Sequence, residues 1–231
     1  MMFAAFVQSV GGFGFALMAV PLAAIAVDLP TAIIVVSICA LFNVTILCWR
    51  TRHEVDRRLA VRFNVPALLG MPIGLVILTR VDQQSLKIAL GAIIVVATIA
   101  LMRGWSNLKP SGVTDIIAGT LSGVLSTATG TNGPPLVIAA QIRRLEAPVF
   151  RATLAFTFAL SGAVTLALYV VAGLVTRYEV TLATVAVPLI LFGQFIGLKL
   201  QTWFDGSRFD RLVTLLLLAS GVSVGVSGVL G

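Results

Sequence analysis

Apolar positions come in long blocks along this chain, each ended by a short polar or charged connector. The blocks fall at about 3–27, 30–49, 63–80, 84–102, 113–142, 152–176, 180–203 and 212–231. A helix rising 1.5 Å per residue crosses a hydrocarbon core of roughly 30 Å in about 20 residues, so the pattern predicts eight helical membrane segments. Strict apolar/polar alternation over segments of about 10 residues, the signature of a membrane β-barrel, is absent. No stretch remains for a soluble domain, and one membrane domain over 1–231 is expected.

Two blocks interrupt themselves. The first carries "VGGFGFALMAVPL" (Val10 to Leu22) and the fifth carries "STATGTNGPPLVIAAQ" (Ser126 to Gln141). Gly and Pro release backbone groups that lipid cannot satisfy, so such breaks persist only where the backbone is buried in protein or lines a wet cavity. They also occupy matching places. "VPALLGMPIGLVILTRVD" (Val65 to Asp82) is echoed by "VPLILFGQFIGLKLQTWFD" (Val187 to Asp205), each downstream of a broken block by a similar distance. This predicts two internal repeats, 1–104 and 112–231. Paired interruptions in two halves point to the binding site of a transporter.

Composition agrees with the pattern. Of 231 residues 58% are hydrophobic and 11% charged, with a mean hydropathy of +1.06, beyond what a soluble domain of this size can bury. The formal charge of +7 is no nucleic-acid footprint, because the Lys and Arg residues sit in connectors or near span ends, where they set orientation. The amino terminus has no basic n-region, so no cleaved signal peptide is expected. Cys39 and Cys48 lack a CxxC spacing, and His53 lies in the basic loop "RTRHEVDRR"; neither suggests a metal site or a disulfide. No catalytic triad, carboxylate pair or cofactor fingerprint is present, and an enzyme is not expected.

Charge also bears on topology. If all eight blocks cross, the Lys and Arg residues divide evenly between the two sides. If blocks 1 and 5 are re-entrant hairpins, thirteen share one side and only Arg80, Lys87 and Arg177 lie opposite, as the positive-inside rule requires of an inner-membrane protein. Each half is then one broken or re-entrant hairpin plus three crossings, which inverts the second half relative to the first; the charges test block 5 only, since no Lys or Arg precedes Arg50, so block 1 is assigned by symmetry and a full crossing there stays open. The fold class predicted is all-α, an integral membrane protein with two inverted repeats.

In each hairpin the returning arm starts at the break, and its first N–H groups lack helical partners. Pro134 and Pro135 suit a helix start, and Gly130 and Gly133 permit tight turns. Two helix starts meeting inside the protein would form an anion site of amides and dipoles. Thr127, Thr129, Thr131 and Asn132 are candidate donors from the second break. Gly11, Gly12 and Gly14, with Gln8 and Ser9, are candidates from the first. Asn43, Ser161 and Gln194 are further candidates to line the same cavity, although each serves equally as an interhelical hydrogen bond. No ionisable residue lies near the middle of a span, which favours an anion over a cation or proton pathway.

The blocks "GGFGFALMAVPLAAIAVDLPTA", "EVDRRLAVRFNVPALLGMPIG", "GTLSGVLSTATGTNGPPLVIAAQ" and "FRATLAFTFALSG" together resemble the TauE/SafE sulfite exporter family. The resemblance covers nearly the whole chain. It implies a permease built by duplication that moves sulfite, sulfonates or related sulfur-containing organic anions, usually outward. The matching positions are Gly12, Gly14 and Pro21 in the first motif, and Gly130, Asn132, Gly133, Pro134 and Pro135 in the second, with the prolines as structural helix breaks. The first motif departs from the family's denser glycine run at Phe13, Phe15 and Ala16. The resulting expectation is a secondary transporter with a small anionic substrate and lipid as partners, no nucleic acid, no cofactor and no metal; a homo-oligomer is left open. An anion channel of the same architecture and a non-transporting scaffold are the competing readings.

Overall fold

The computed structural model describes residues 1–103 and 109–200, and every regular element among them is α-helical. In chain order these are α1 (Met2–Gly11), α2 (Phe15–Ala23), α3 (Leu29–Thr51), α4 (Arg57–Arg80), α5 (Gln83–Arg103), α6 (Gly112–Thr129), α7 (Gly133–Ile142), α8 (Ala147–Val171) and α9 (Arg177–Leu200). Seven of the eight expected blocks are helical here; the eighth, 212–231, lies outside the described residues. Blocks 1 and 5 each divide into two helices, at Gly12–Gly14 and at Gly130–Asn132. One expectation changes: Pro21 breaks nothing and sits inside α2, two residues before its end. The glycines upstream make that break, because Gly12 and Gly14 take left-handed φ values of 81° and 101° that other residues avoid.

Local chemistry sets the helix starts. Asp28 and Asp56 accept the amides of Thr31 and Leu59 to cap α3 and α4, and Ser111 accepts that of Thr114 to cap α6. Ahead of α9 the Glu179 carboxylate accepts the Thr176 amide at 2.8 Å and Thr176 Oγ1 accepts the Tyr178 amide at 3.2 Å. Four helices, α3, α4, α8 and α9, are long and apolar enough to cross a bilayer. Their outer faces expose Leu69, Ile73, Val185 and Phe192, as a lipid-facing surface requires, and the chain is a multi-pass membrane protein.

Small residues bring the helices together. The α4 glycines Gly70 and Gly74 lie against backbone carbonyls of Thr120 and Val124 on α6, while Gly119 and Gly123 of α6 lie against those of Phe63 and Ala67 on α4. On the other side, Gly193 and Gly197 of α9 lie against the carbonyls of Met2 and Phe6 on α1. This is small-xxx-small packing, where contact replaces the hydrophobic effect that lipid does not supply. α3 and α8 pack on each other between these two pairs.

One end of the bundle collects the starts of α4, α6 and α8. The Asp56 amide, just before α4, donates to Thr153 Oγ1 near the start of α8 at 3.0 Å. Asp115 near the start of α6 is only 2% exposed, accepts Arg143 Nε at 3.0 Å from just beyond α7, and has Arg62 of α4 at 4.0 Å. The beginning of α6 and the end of α7 therefore meet, and the α6–α7 break is the tip of a hairpin.

Candidate functional site

The two breaks share one cavity. It is lined by Gln8, Gly14 and Phe15–Leu17 from the first break, and by Ser126 and Gly130–Gly133 from the second. Ser37, Ala40, Leu41 and Val44 of α3 and Phe158, Gly162 and Thr165 of α8 close its sides. Its volume is about 50 Å³. A water site needs roughly 10–15 Å³ on this measure, so there is room for a few waters or one small oxyanion in this conformation. None of the lining residues is ionisable.

At the second break, α6 ends with Gly130 in the left-handed region (φ 68°), its amide donating to the Ser126 carbonyl at 3.2 Å. Tyr169 Oη donates to the Thr127 carbonyl at 2.8 Å, satisfying another carbonyl at the same end of the helix. α7 then begins at Gly133 with Pro134 and Pro135 in its first turn. Among the described residues, the amides of Asn132 and Gly133 donate to no backbone carbonyl. Asn132 is held at both ends: its carbonyl accepts Ser122 Oγ at 2.8 Å and its Nδ2 donates to Ser161 Oγ at 3.0 Å. Ser126 and Thr165 hydroxyls share a bond of 2.7 Å, and those of Thr129 and Thr131 one of 2.6 Å.

At the first break, Gly14 opens α2, and the first helical bond runs from the Met18 amide to the Gly14 carbonyl at 3.3 Å. The amides of Phe15, Ala16 and Leu17 precede it and lack intrahelical acceptors. With no proline in this first turn, α2 offers three amides where α7 has lost two of its own. Phe13, Phe15 and Ala16, which depart from the glycine-rich motif, are thus among the residues that line the cavity.

Other expected residues stand one layer back. Asn43 Nδ2 donates to Gln8 Oε1 at 2.7 Å, and Gln194 Nε2 donates to the Asn43 carbonyl at 2.9 Å, so a buried polar chain runs from the cavity to α9. Ser161 reaches the cavity through Asn132, and Thr129 through Thr131. Ser9 turns away, donating to the Ala5 carbonyl at 2.8 Å where α1 meets Gly197. Gly12 lies against the alkyl stem of Arg151, and Thr127 donates to the Met71 carbonyl at 2.6 Å.

The chain as a whole, beyond this cavity, has counterparts among known proteins. The family model described as "Sulfite exporter TauE/SafE" matches residues 1–224. The chain belongs to the sulfite exporter TauE/SafE family. This is a family of transporters and not of enzymes. A curated relative, the "Probable sulfite/organosulfonate exporter TauE" of Cupriavidus necator, is 22% identical over 229 residues, covering 94% of this chain and 88% of that protein. No solved structure matches.

Proposed function

We propose that this TauE/SafE family member is a secondary transporter that moves a small sulfur oxyanion or organosulfonate out across the inner membrane, by alternating access around its two helix breaks. The observation that carries the reading is the shared cavity, where the starts of α2 and α7 converge without a charged side chain. Amides and helix dipoles then supply the positive potential, and an anion is the ligand class that matches them. The volume suits sulfite. The family and the curated relative favour sulfite or an organosulfonate among anions of that size.

The proposal takes the chain as one domain of two inverted repeats, each a re-entrant hairpin with three crossings. The spacing supports it: Gly12 stands to Gly130 as Asp28 stands to Glu146 and as Asn43 stands to Ser161. Asp28 and Glu146 are the N-cap residues of α3 and α8. The packing supports it too, because α4 lies on the first arm of the second hairpin as α9 lies on the first arm of the first. Rocking of one half against the other would open the central cavity to each side in turn.

Sulfite flux in proteoliposomes tests the function, with taurine, sulfoacetate and lactate as competitors and with or without an imposed pH gradient. Saturable sulfite flux, competed by sulfonates and not by lactate, is expected. Non-saturating conductance would make the protein a channel, and no flux from folded, inserted protein would remove the transport reading.

A further inference from the structure

A second cavity, of about 660 Å³, lies between α3 and α9 and is separate from the central one. Its walls are mainly apolar, formed by Ile46, Leu191, Phe195 and Leu198 among others, with Gln194, whose Nε2 is already held by the Asn43 carbonyl, as the uncharged polar residue, and its charged lining residues are two cations, Arg50 and Lys199. Lys199 holds its ammonium 4.5 Å from the Phe195 ring centroid, at the edge of the apolar wall. Leu191 and Phe195 are also exposed on the outer face of α9, so the groove opens sideways toward lipid.

Its depth matches one leaflet. From Pro188 at the inner end of the groove to Lys199 at its mouth, α9 rises about 16 Å, roughly half of a 30 Å hydrocarbon core. The mouth lies at headgroup level, since Trp49, next to Arg50, is 72% exposed and carries the Arg52 guanidinium 4.4 Å over its ring. Exposed tryptophan beside arginine is the residue pairing of a membrane–water interface. An apolar slot one leaflet deep with two cations at its mouth complements an amphiphile with an anionic head. A free oxyanion would leave the slot's apolar walls unmatched.

We propose that this groove holds one acidic phospholipid, its phosphate between Arg50 and Lys199 and an acyl chain along Ile46, Leu191, Phe195 and Leu198. The site is independent of the transport reading and needs only the membrane placement of α3 and α9. Basic pockets between membrane helices recognise lipid phosphates by this chemistry.

Native mass spectrometry of the purified full chain, exchanged against mixed phosphatidylglycerol and phosphatidylcholine, provides the test. One retained phosphatidylglycerol is expected, preferred on the order of tenfold over phosphatidylcholine. Preference should vanish in the Arg50→Gln/Lys199→Gln double variant and persist in Arg50→Lys. Leu191→Trp, which fills the slot and leaves both cations, should lose the lipid as well. Equal retention by the double variant overturns the proposal, as does retention by Leu191→Trp, which would place the head on the surface only. Wild-type protein that keeps no lipid would show the groove filled by the chain itself, and displacement by excess sulfite would make it part of the anion path; either result also overturns it.

Discussion

Asn132 joins the tip of the α6–α7 hairpin to α8 through one side-chain bond, the 3.0 Å contact with Ser161 Oγ. If the amide acts by holding the tip so that the first α7 amides face the cavity, Asn132→Ala and Ser161→Ala disturb the same contact. Both variants are expected to lower sulfite flux at least tenfold while remaining folded, and the double variant should be little worse than the Asn132→Ala variant. Fluxes that multiply in the double variant would show two separate roles. The left-handed glycines bear on stability. Gly12→Ala and Gly130→Ala force a Cβ into a region that costs about 1–2 kcal/mol. Gly12→Ala should be the worse, because its new Cβ would lie 2.9 Å from Arg151 Cγ, whereas at Gly130 the nearest atom is Ser37 Oγ at 3.4 Å. Thermal unfolding in detergent measures the order. At this scale the sequence showed the residues that break local rules: an amide beside Pro-Pro and a run of glycines. It did not show Ser37 or the Phe15–Leu17 amides, which are ordinary helix residues until the fold brings α3 and α2 to the second break.

Helices α6 and α7 act as one element because their open ends are tied. Asp115 is buried and paired with Arg143, with Arg62 at the margin. Removing one partner of such a pair leaves an uncompensated charge and costs about 3–5 kcal/mol. Arg143→Gln should therefore destabilise more than Asp115→Asn, which also removes the charge that needs the arginine; a larger loss for Asp115→Asn in thermal melts would contradict this. Close packing holds α6 against α4 and α1 against α9. A Cβ at Gly70 or Gly193 would run into the carbonyl of Thr120 or Met2, so Gly70→Val and Gly193→Val should each yield little folded protein, measured by monodispersity after extraction. Hydropathy alone located these blocks and their breaks. It could not assign Pro21, because a proline in block 1 reads the same whether it makes the break or follows one made by glycine. It also could not find the Asp115–Arg143 tie, since two charges 28 positions apart meet only if the intervening chain turns back.

Whether block 5 returns to the side it entered decides the architecture of the whole molecule. The starts of α4, α6 and α8 and the end of α7 gather at one end, together with most of the cations that the positive-inside rule assigns to one face. In a cysteine-free background, with Cys39 and Cys48 replaced, single cysteines at His53, Lys109, Glu146 and Gln83 report the topology through a membrane-impermeant thiol reagent. The re-entrant arrangement predicts that His53→Cys, Lys109→Cys and Glu146→Cys all react from one side and that Gln83→Cys reacts from the other. A full crossing by block 5 would put Lys109→Cys and Glu146→Cys on opposite sides, and the positive charge would then divide evenly. That outcome would remove the inversion of the second half, and with it the symmetry by which one set of helix starts can face each side in turn. The shared cavity would remain, but as a fixed anion pore and not a site that alternates.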